Sequence, residues 1–565
     1  MTSMGREFLL SRIQYRDIYR SQYYLPLLET VIRDMVLYLE NVGCINIDHV
    51  LFDLIQTIAN ELDDMILPTV VYEIHSHKGR LSGETAMDRY KNFFFDHSAQ
   101  TWASTSRTIV KKHKFLFDMM NGYCHSTIDN VKYCLNCLKN DKTDIYQKLL
   151  ICAEINELCK VTLSGSDRHR NGQTVLFLSF NNQQKLVYKN SNSSIDKTFE
   201  LFINKLNLLP PYDIKIRNYL TKDGYTWYEY LKHESCQTEQ ELKHYYIRSG
   251  SLLAIVDLLN FTDGHCQNLL AYGQYPILLD LETLYHNFQC NGSQSNDERS
   301  IIYTGLIDRQ EDYEKNDRNE SRSAFQTTGL MVETFQPLVF NDHTDEIKLF
   351  FVNTKNSPLS IDQCTSGPRY MLLQNSPCFN GQTYTIHSYL NDFIHGYKYT
   401  YSHIEQRKDQ LLDNSNQFWF ELNQLLSTRQ IMRSTLFYSM LIRHLQQPHL
   451  ALSKAMAQDY LFKYLSKHSS NVNPNILEYE INELLKLNIP YFTQQPNSQQ
   501  LFDGNGQMFE KFFISSSIEQ IRSNIQNMNE RYCLRQIEIL CDASKQTMTK
   551  SGSKCYVCLT AATEY

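Results

Sequence analysis

The sequence predicts an α+β fold with more than one subdomain. Three observations predict it: helical periodicity at both ends of the chain, short β-type runs in its middle, and a length of 565 residues. A single hydrophobic core rarely grows past roughly 300 residues. A hydrophobic share of 42% and a charged share of 21% are ordinary for a soluble globular protein.

Residues 1–155 read as a helical N-terminal region. LPLLETVIRDMVLYLE and HVLFDLIQTIANELDDMI carry apolar residues at helical spacing. Over 156–290 the texture changes. QTVLFLSF and KLVYK are short β-type runs on either side of Asn181-Asn182, a good hairpin turn. ELKHYYIRSGSLLAIVDLLN then reads as helix, and PILLD as a short apolar strand. Residues 291–415 are expected to hold an insertion and loops, with the polar stretch from 291 to 325 a mobile segment. Helical patterning returns over 416–545, as in FWFELNQLL and LFYSMLIRHLQQ. Residues 546–565 read as an irregular tail.

The balance of 55 Lys+Arg against 62 Asp+Glu gives a net charge of -7. That argues against nucleic acid as the main partner, which would favour a basic surface. No stretch approaches the about 20 mostly apolar residues of a membrane span. Arg6, Arg12, Arg16, Asp17 and Arg20 interrupt any signal-peptide core. A cytoplasmic location is therefore expected, with the 15 Cys as free thiols. Cys134 with Cys137 and Cys555 with Cys558 form two CxxC pairs, enough for four zinc ligands. They lie at opposite ends of the chain, however, so ordinary cysteines are the better reading. A helix through DNVKYCLNCLKND would put Cys134 and Cys137 on one face.

The chemistry concentrates in TDGHCQNLLAYGQYPILLDLET. Asp263 precedes Asn268 by five positions, and Asp280 follows at the end of a predicted strand. Phosphoryl transfer needs a carboxylate to orient the acceptor hydroxyl, and an amide oxygen plus a carboxylate to hold Mg²⁺. Protein kinases use this order and this Asp-to-Asn spacing, and DLE stands here where they have DFG. Lys189 ends the strand KLVYK, as the phosphate-binding Lys ends VAIK. Each residue has a plainer alternative. Lys189 is then a solvated strand end, Asp263 a cap, and Asp280 and Glu282 a surface ion-pairing couple. For His265, hydrogen bonding within the loop is as good a reading as direct chemistry. The ordered set is worth more than any member. In GSDRHRNGQTVLF, Asp167 and His169 stand before a Gly-containing turn, where a kinase places its phosphate-covering loop. A charged Asp there suggests chemistry beyond ordinary transfer.

Together, SGSDRHRNGQTVLFL, LVYK, GYTWYEYL, TDGHCQNLLAYGQYPILLDLETL and RQIMRSTLFYSMLIRHLQQPHL resemble the dehydratase domain of class II (LanM-type) lanthipeptide synthetases. Weaker similarity runs through QNSPCFNGQTYTIHSYLNDFIHGY and YEINELLKLNIPYF. The resemblance implies a two-lobe fold similar to protein and lipid kinases, with large helical additions and the nucleotide site within 156–290. It implies ATP and Mg²⁺ as cofactors and lantibiotic (antimicrobial peptide) biosynthesis as the setting. Ser and Thr of a ribosomally made, leader-bearing precursor peptide would be phosphorylated. Phosphate would then be eliminated to give dehydroalanine and dehydrobutyrine. By motif, Asp263, His265, Asn268, Asp280 and Glu282 belong to the phosphorylation site, and Asn268, Asp280 and Glu282 are the metal ligands. Asp167, His169 and Lys189 match positions in the cleft, with Lys189 on the nucleotide. Arg429 and Thr435 match positions used for elimination. Six residues apart, these two would not share one helix face, so a loop or helix start is expected between them.

Two departures stand out. No counterpart of the family's C-terminal zinc cyclase is expected within these residues, since none of Trp102, Trp227 or Trp419 is followed by Cys; a split enzyme, a fragment and a truncated product all fit. This leaves room for a separate cyclase, and an exporter, as further partners. In LNIPYF, Asn488 stands where the family more often has Asp. A kinase of another substrate without elimination, and an inactive leader-binding scaffold, are the competing readings.

Overall fold

In the computed structural model, residues 10–550 are described, apart from 42–44, 97–100, 150–156, 192–193, 290–298, 308–322, 326–329, 333–336, 352–363, 367–369, 426 and 468–472. The architecture is a mixture of helices and small antiparallel sheets, as the α+β reading expects.

The N-terminal helical runs form α1 (Leu25–Leu39), α2 (Ile47–His77) and α3 (Lys114–Leu149). Cys134 and Cys137 lie on α3, both buried as free thiols. The second CxxC pair, Cys555 and Cys558, lies outside the described residues. Next come β1 (Leu158–Leu163), β2 (Leu176–Phe180) and β3 (Lys185–Lys189), helix α4 (Ser194–Leu206), β4 (Tyr219–Lys222) and β5 (Tyr225–Glu229). They form one antiparallel sheet in the order β1-β2-β3-β5-β4. The β2–β3 turn falls at Asn181-Asn182, but the left-handed residue is the following Gln183, at φ 65°.

Helix α5 (Glu239–Leu258) precedes a hairpin of β6 (Leu269–Tyr272) and β7 (Tyr275–Leu278). Three further stretches differ from the sequence reading. Within 291–325, residues 299–307 are ordered, with Ile301, Leu306 and Ile307 buried. Arg299 pairs with the buried Asp257 at 2.7 Å. The remainder of that stretch lies largely outside the described residues. Helical structure returns earlier than 416, at α6 (Leu390–Gln406). Its sequence, LNDFIHGYKYTYSHIEQ, hides the helix behind Gly, Thr and four aromatic residues of middling helix propensity. Toward the C-terminus, the helix Glu530–Lys550 reaches into the stretch read as an irregular tail.

Two large cores result. One joins α1, α2 and α3 to the inner face of the five-stranded sheet, through Leu178, Leu186, Tyr188 and Trp227. The other gathers α4, α5, α6 and the β6–β7 hairpin. A small third core lies under a four-stranded sheet near the C-terminal end.

In the second core, α5 and α6 meet backbone to backbone. A Cβ added at Gly250 would lie 1.9 Å from the Phe393 carbonyl oxygen, and one at Gly396 would lie 1.9 Å from that of Ile247. Glycine costs a helix interior up to about 1 kcal/mol relative to alanine, so here close approach decides the residue. Gly396→Ala and Gly250→Ala are expected to destabilise the protein by about 1–3 kcal/mol despite the better helix former, because overpacking forces backbone to move. Urea denaturation of either variant checks this. An unchanged midpoint would mean that the helices separate freely.

Candidate active site

The hairpin brings the central residues of the site together. Leu269 pairs with Leu278, so its open end places Asn268 opposite Leu279, whose N–H donates to the Asn268 carbonyl at 2.8 Å. Twelve positions of sequence separation thus become adjacency between Asn268 and Asp280. Upstream, α5 stops at the left-handed Asn260 (φ 55°), a conformation Asn tolerates at helix ends. The loop TDGH follows, with Asp263 also left-handed at φ 66°. Gly264 fixes this loop: its N–H donates to the Thr304 carbonyl at 2.8 Å, and its carbonyl accepts from Ala324 at 3.0 Å. A Cβ at Gly264 would sit 2.6 Å from the Thr304 oxygen. The His265 backbone bridges to Ser323, and the Asn268 Nδ2 donates to the Asp263 carbonyl at 2.9 Å. That donation commits the nitrogen end of the amide and leaves Oδ1 as the end to offer a ligand.

Lys189 arrives at the end of β3. Its Nζ donates to Asp280 Oδ1 at 2.5 Å and lies 3.4 Å from Glu282 Oε2. Arg429 reaches the other Glu282 oxygen from the opposite side, and its backbone N–H donates to the Glu282 carbonyl at 2.8 Å. Arg429 lies on β8 (Thr428–Gln430) of the four-stranded sheet. Thr435 is the first residue of α7 (Thr435–Leu445), capped by Ser434, which accepts from the Phe437 N–H at 3.2 Å. A strand, a short connection and a helix start therefore separate Arg429 from Thr435. The Thr435 hydroxyl, Arg429 and His265 lie near enough to the Asp167 carboxylate to favour its ionised form.

The ten candidate residues thus come together in one cluster, here called the cleft, linked by hydrogen bonds, ion pairs and neighbouring charges. Its electrostatics are strained. Burial, with Asp280, Glu282 and Asp167 nearby, pushes the Asp263 carboxyl up to about 7, against the pull of Arg429. Burial also raises Asp167, although Arg429 and His265 oppose it. Despite its own burial, Glu282 is held well below the usual carboxylate range by Lys189 and Arg429. Burial and the neighbouring Arg429 push His169 down to about 3, so its imidazole is neutral at neutral pH. Its Nδ1 donates to the Ile489 carbonyl at 2.9 Å, which fixes the tautomer.

Sequence reasoning missed Tyr491 and Arg170. The Tyr491 ring takes the His169 edge at 5.1 Å between centroids and carries the guanidinium carbons of Arg170 at 4.1 Å and Arg429 at 5.5 Å. One Tyr among 37 offers no signal by type or spacing. The departure at Asn488 is explained by its contacts. Its Oδ1 accepts from the Gly172 N–H at 3.1 Å, and its Nδ2 donates to the buried Glu483 at 3.1 Å. An ionised Asp would face Glu483 and repel it; the amide satisfies both neighbours.

Asn268, Asp280 and Glu282 supply an amide and carboxylates, the oxygen donors that a hard divalent cation takes. The charge surplus around Asp263 fits such an ion. These groups are not closed into a ready ligand cluster, because Asp280 is bonded to Lys189. Among the described residues the tight acidic cluster is elsewhere, at Asp17, Asp342 and His343. There Arg20 already sits 2.8 Å from Asp342 and 3.5 Å from Asp17.

A family model described as a domain of unknown function (DUF4135) matches residues 115–495, which include every residue of the cleft named above. The lacticin 481/lactococcin biosynthesis protein LcnDR2 of Lactococcus lactis subsp. lactis is 23% identical over 445 residues. That alignment covers 76% of this chain and 45% of the relative, so the chain spans about half the length of the relative it matches.

A carboxyl raised by folding costs stability once it ionises. Below about pH 4, Asp263 is protonated in folded and unfolded states alike and costs nothing. As pH rises toward 7 the unfolded chain releases the proton first, and above 7 the full cost is present. Asp263→Asn is therefore expected to stabilise the protein at pH 8, without nucleotide or divalent cation, by about 1–3 kcal/mol. The gain should fade toward pH 4. Thermal unfolding at both pH values checks this; a gain independent of pH would mean that the carboxyl is not the source.

Proposed function

The chain belongs to the DUF4135 family and is a homologue of the class II lanthipeptide synthetases, and from that premise we propose that it is an ATP-dependent dehydratase of Ser and Thr in a precursor peptide. The observation that carries this reading is the convergence of Lys189, Asp263, Asn268 and Asp280 with Arg429, Thr435 and Asp167 in one cleft. The first four are the parts of a phosphoryl-transfer site; the last three are not. The sheet-borne Lys189, the loop after α5 and the hairpin-end Asp280 also support a kinase-like two-lobe arrangement.

In this reading Asp263 orients the acceptor hydroxyl and takes its proton. A carboxyl poised near 7 suits that task. Lys189 contacts the nucleotide phosphates, and Asn268, Asp280 and Glu282 would hold Mg²⁺, which supplies charge neutralisation on those phosphates. His265 braces the catalytic loop through its backbone bridge to Ser323.

Elimination follows on the phosphopeptide. Asp167 takes the α-proton, the electron pair forms the Cα=Cβ double bond, and the Cβ–O bond breaks to release phosphate. Arg429 offers the departing dianion a planar fork, and Thr435 a hydroxyl. His169, kept neutral by burial and Arg429, packs against Tyr491 and holds that ring in place.

The test is incubation with ATP, Mg²⁺ and a Ser/Thr-rich peptide, read by mass spectrometry. Loss of water supports the dehydratase, retained phosphate a plain kinase, and no change an inactive scaffold. Asp263→Ala and Asp280→Ala are expected to leave the peptide unmodified, since losing such electrostatics costs several kcal/mol of barrier. Arg429→Ala is expected to accumulate phosphopeptide, with only partial recovery in Arg429→Lys. Unmodified peptide from a folded Arg429→Ala enzyme would place Arg429 in binding or transfer instead.

A further inference from the structure

Most cations around the cleft are already committed. Lys189 is held by Asp280 and Glu282, and Arg429 by Glu282. Arg433 pairs with Glu480 at 2.8 Å. Arg168 donates to the hydroxyls of Thr127 at 3.0 Å and Ser126 at 2.7 Å. A phosphate dianion binding to Lys189 or Arg429 competes with carboxylates already in place.

Arg170 differs. Among the described residues neither a carboxylate nor a hydroxyl pairs with its guanidinium, and its Nε, like that of Arg168, is buried with no hydrogen-bond partner. Its guanidinium carbon lies 4.1 Å from the centroid of the Tyr491 ring that also carries Arg429. The backbone that delivers it is a tight turn closed by two His169–Gln173 hydrogen bonds, of 2.9 and 2.7 Å. Arg170 (φ 37°), Asn171 (φ 62°) and Gly172 (φ 82°) are all left-handed, and Asn488 holds the Gly172 N–H. Left-handed backbone at a bulky residue is unfavourable and persists where its surroundings dictate it. A buried guanidinium nitrogen without an acceptor is also costly, and an incoming anion removes that cost. Stacking fixes the plane of the fork while leaving its edge to donate.

We propose that Arg170 is a phosphate-binding residue that takes the phosphate monoester dianion of the phosphorylated Ser or Thr, alongside Arg429. This rests on the dehydratase reading for the identity of the ester, and on the cleft alone for the anion site. The peptide ester is favoured over the nucleotide because Arg170 shares the Tyr491 ring with Arg429 and His169, and among the described residues no contact joins Arg170 to Lys189 or Asp280.

The test is calorimetric titration of the full chain and of Arg170→Ala and Arg170→Lys with three probes: inorganic phosphate, N-acetyl-phosphoserine amide, and ATP with Mg²⁺. Arg170→Ala is expected to weaken phosphate and phosphoserine amide at least tenfold, and ATP less than threefold. Arg170→Lys keeps the charge but not the fork and should weaken the first two about threefold; it keeps the test valid if the Ala variant melts early. Three results would overturn the proposal: unchanged binding of all probes by a folded Arg170→Ala, a loss confined to ATP, or a parent protein that binds neither phosphate nor phosphoserine amide. If the parent fails to bind ATP while Arg170→Ala still loses phosphate, the anion site stands and the dehydratase reading falls.

Discussion

Glu282 is the point on which the cleft depends. Lys189 comes from the five-stranded sheet, Arg429 from the four-stranded sheet and Glu282 from the segment after the β6–β7 hairpin, and the three meet in one buried chain of ion pairs. Removing charges from water is expensive, and mutual attraction repays it only with good geometry and full pairing. The arrangement is therefore tolerated only while all three elements are docked. A side chain that contributes little net stability can still dictate how separate cores are arranged around it.

The same pairing sets the other groups of the cleft. Burial, with the ionised Glu282 among its neighbours, raises the Asp263 carboxyl against the pull of Arg429, and Arg429 adds to burial in discharging His169. One acidic position thus divides the carboxyls into those that stay charged and those poised to exchange a proton. Such division is what the proposed function, with its successive proton transfers, would require.

Much of this cluster was legible in the sequence because its members stand in a fixed order and spacing. Asp263, Asn268 and Asp280 stand out by separation and by the strand before Asp280, and Lys189 by its place at a strand end. Arg429 and Thr435 carry no such local signal; only resemblance to a family singles them out. Tyr491 and Arg170 were invisible because their roles arise from tertiary contact between residues more than 300 positions apart, and neither lies in a spacing pattern. The helix Leu390–Gln406 was obscured for a related reason. Its Gly396 is chosen by the neighbouring helix, against its own propensity, so local preference and tertiary requirement disagree there.

That glycine contact has a mechanical consequence. Side chains between helices act as cushions, since they change rotamer and let one helix slide past another. Where Gly250 and Gly396 meet, no side chain lies between the backbones. The two helices therefore behave as one stiff beam. The loop carrying Asp263 follows directly from the end of that beam, so its position is tied to the stiffest part of the second core.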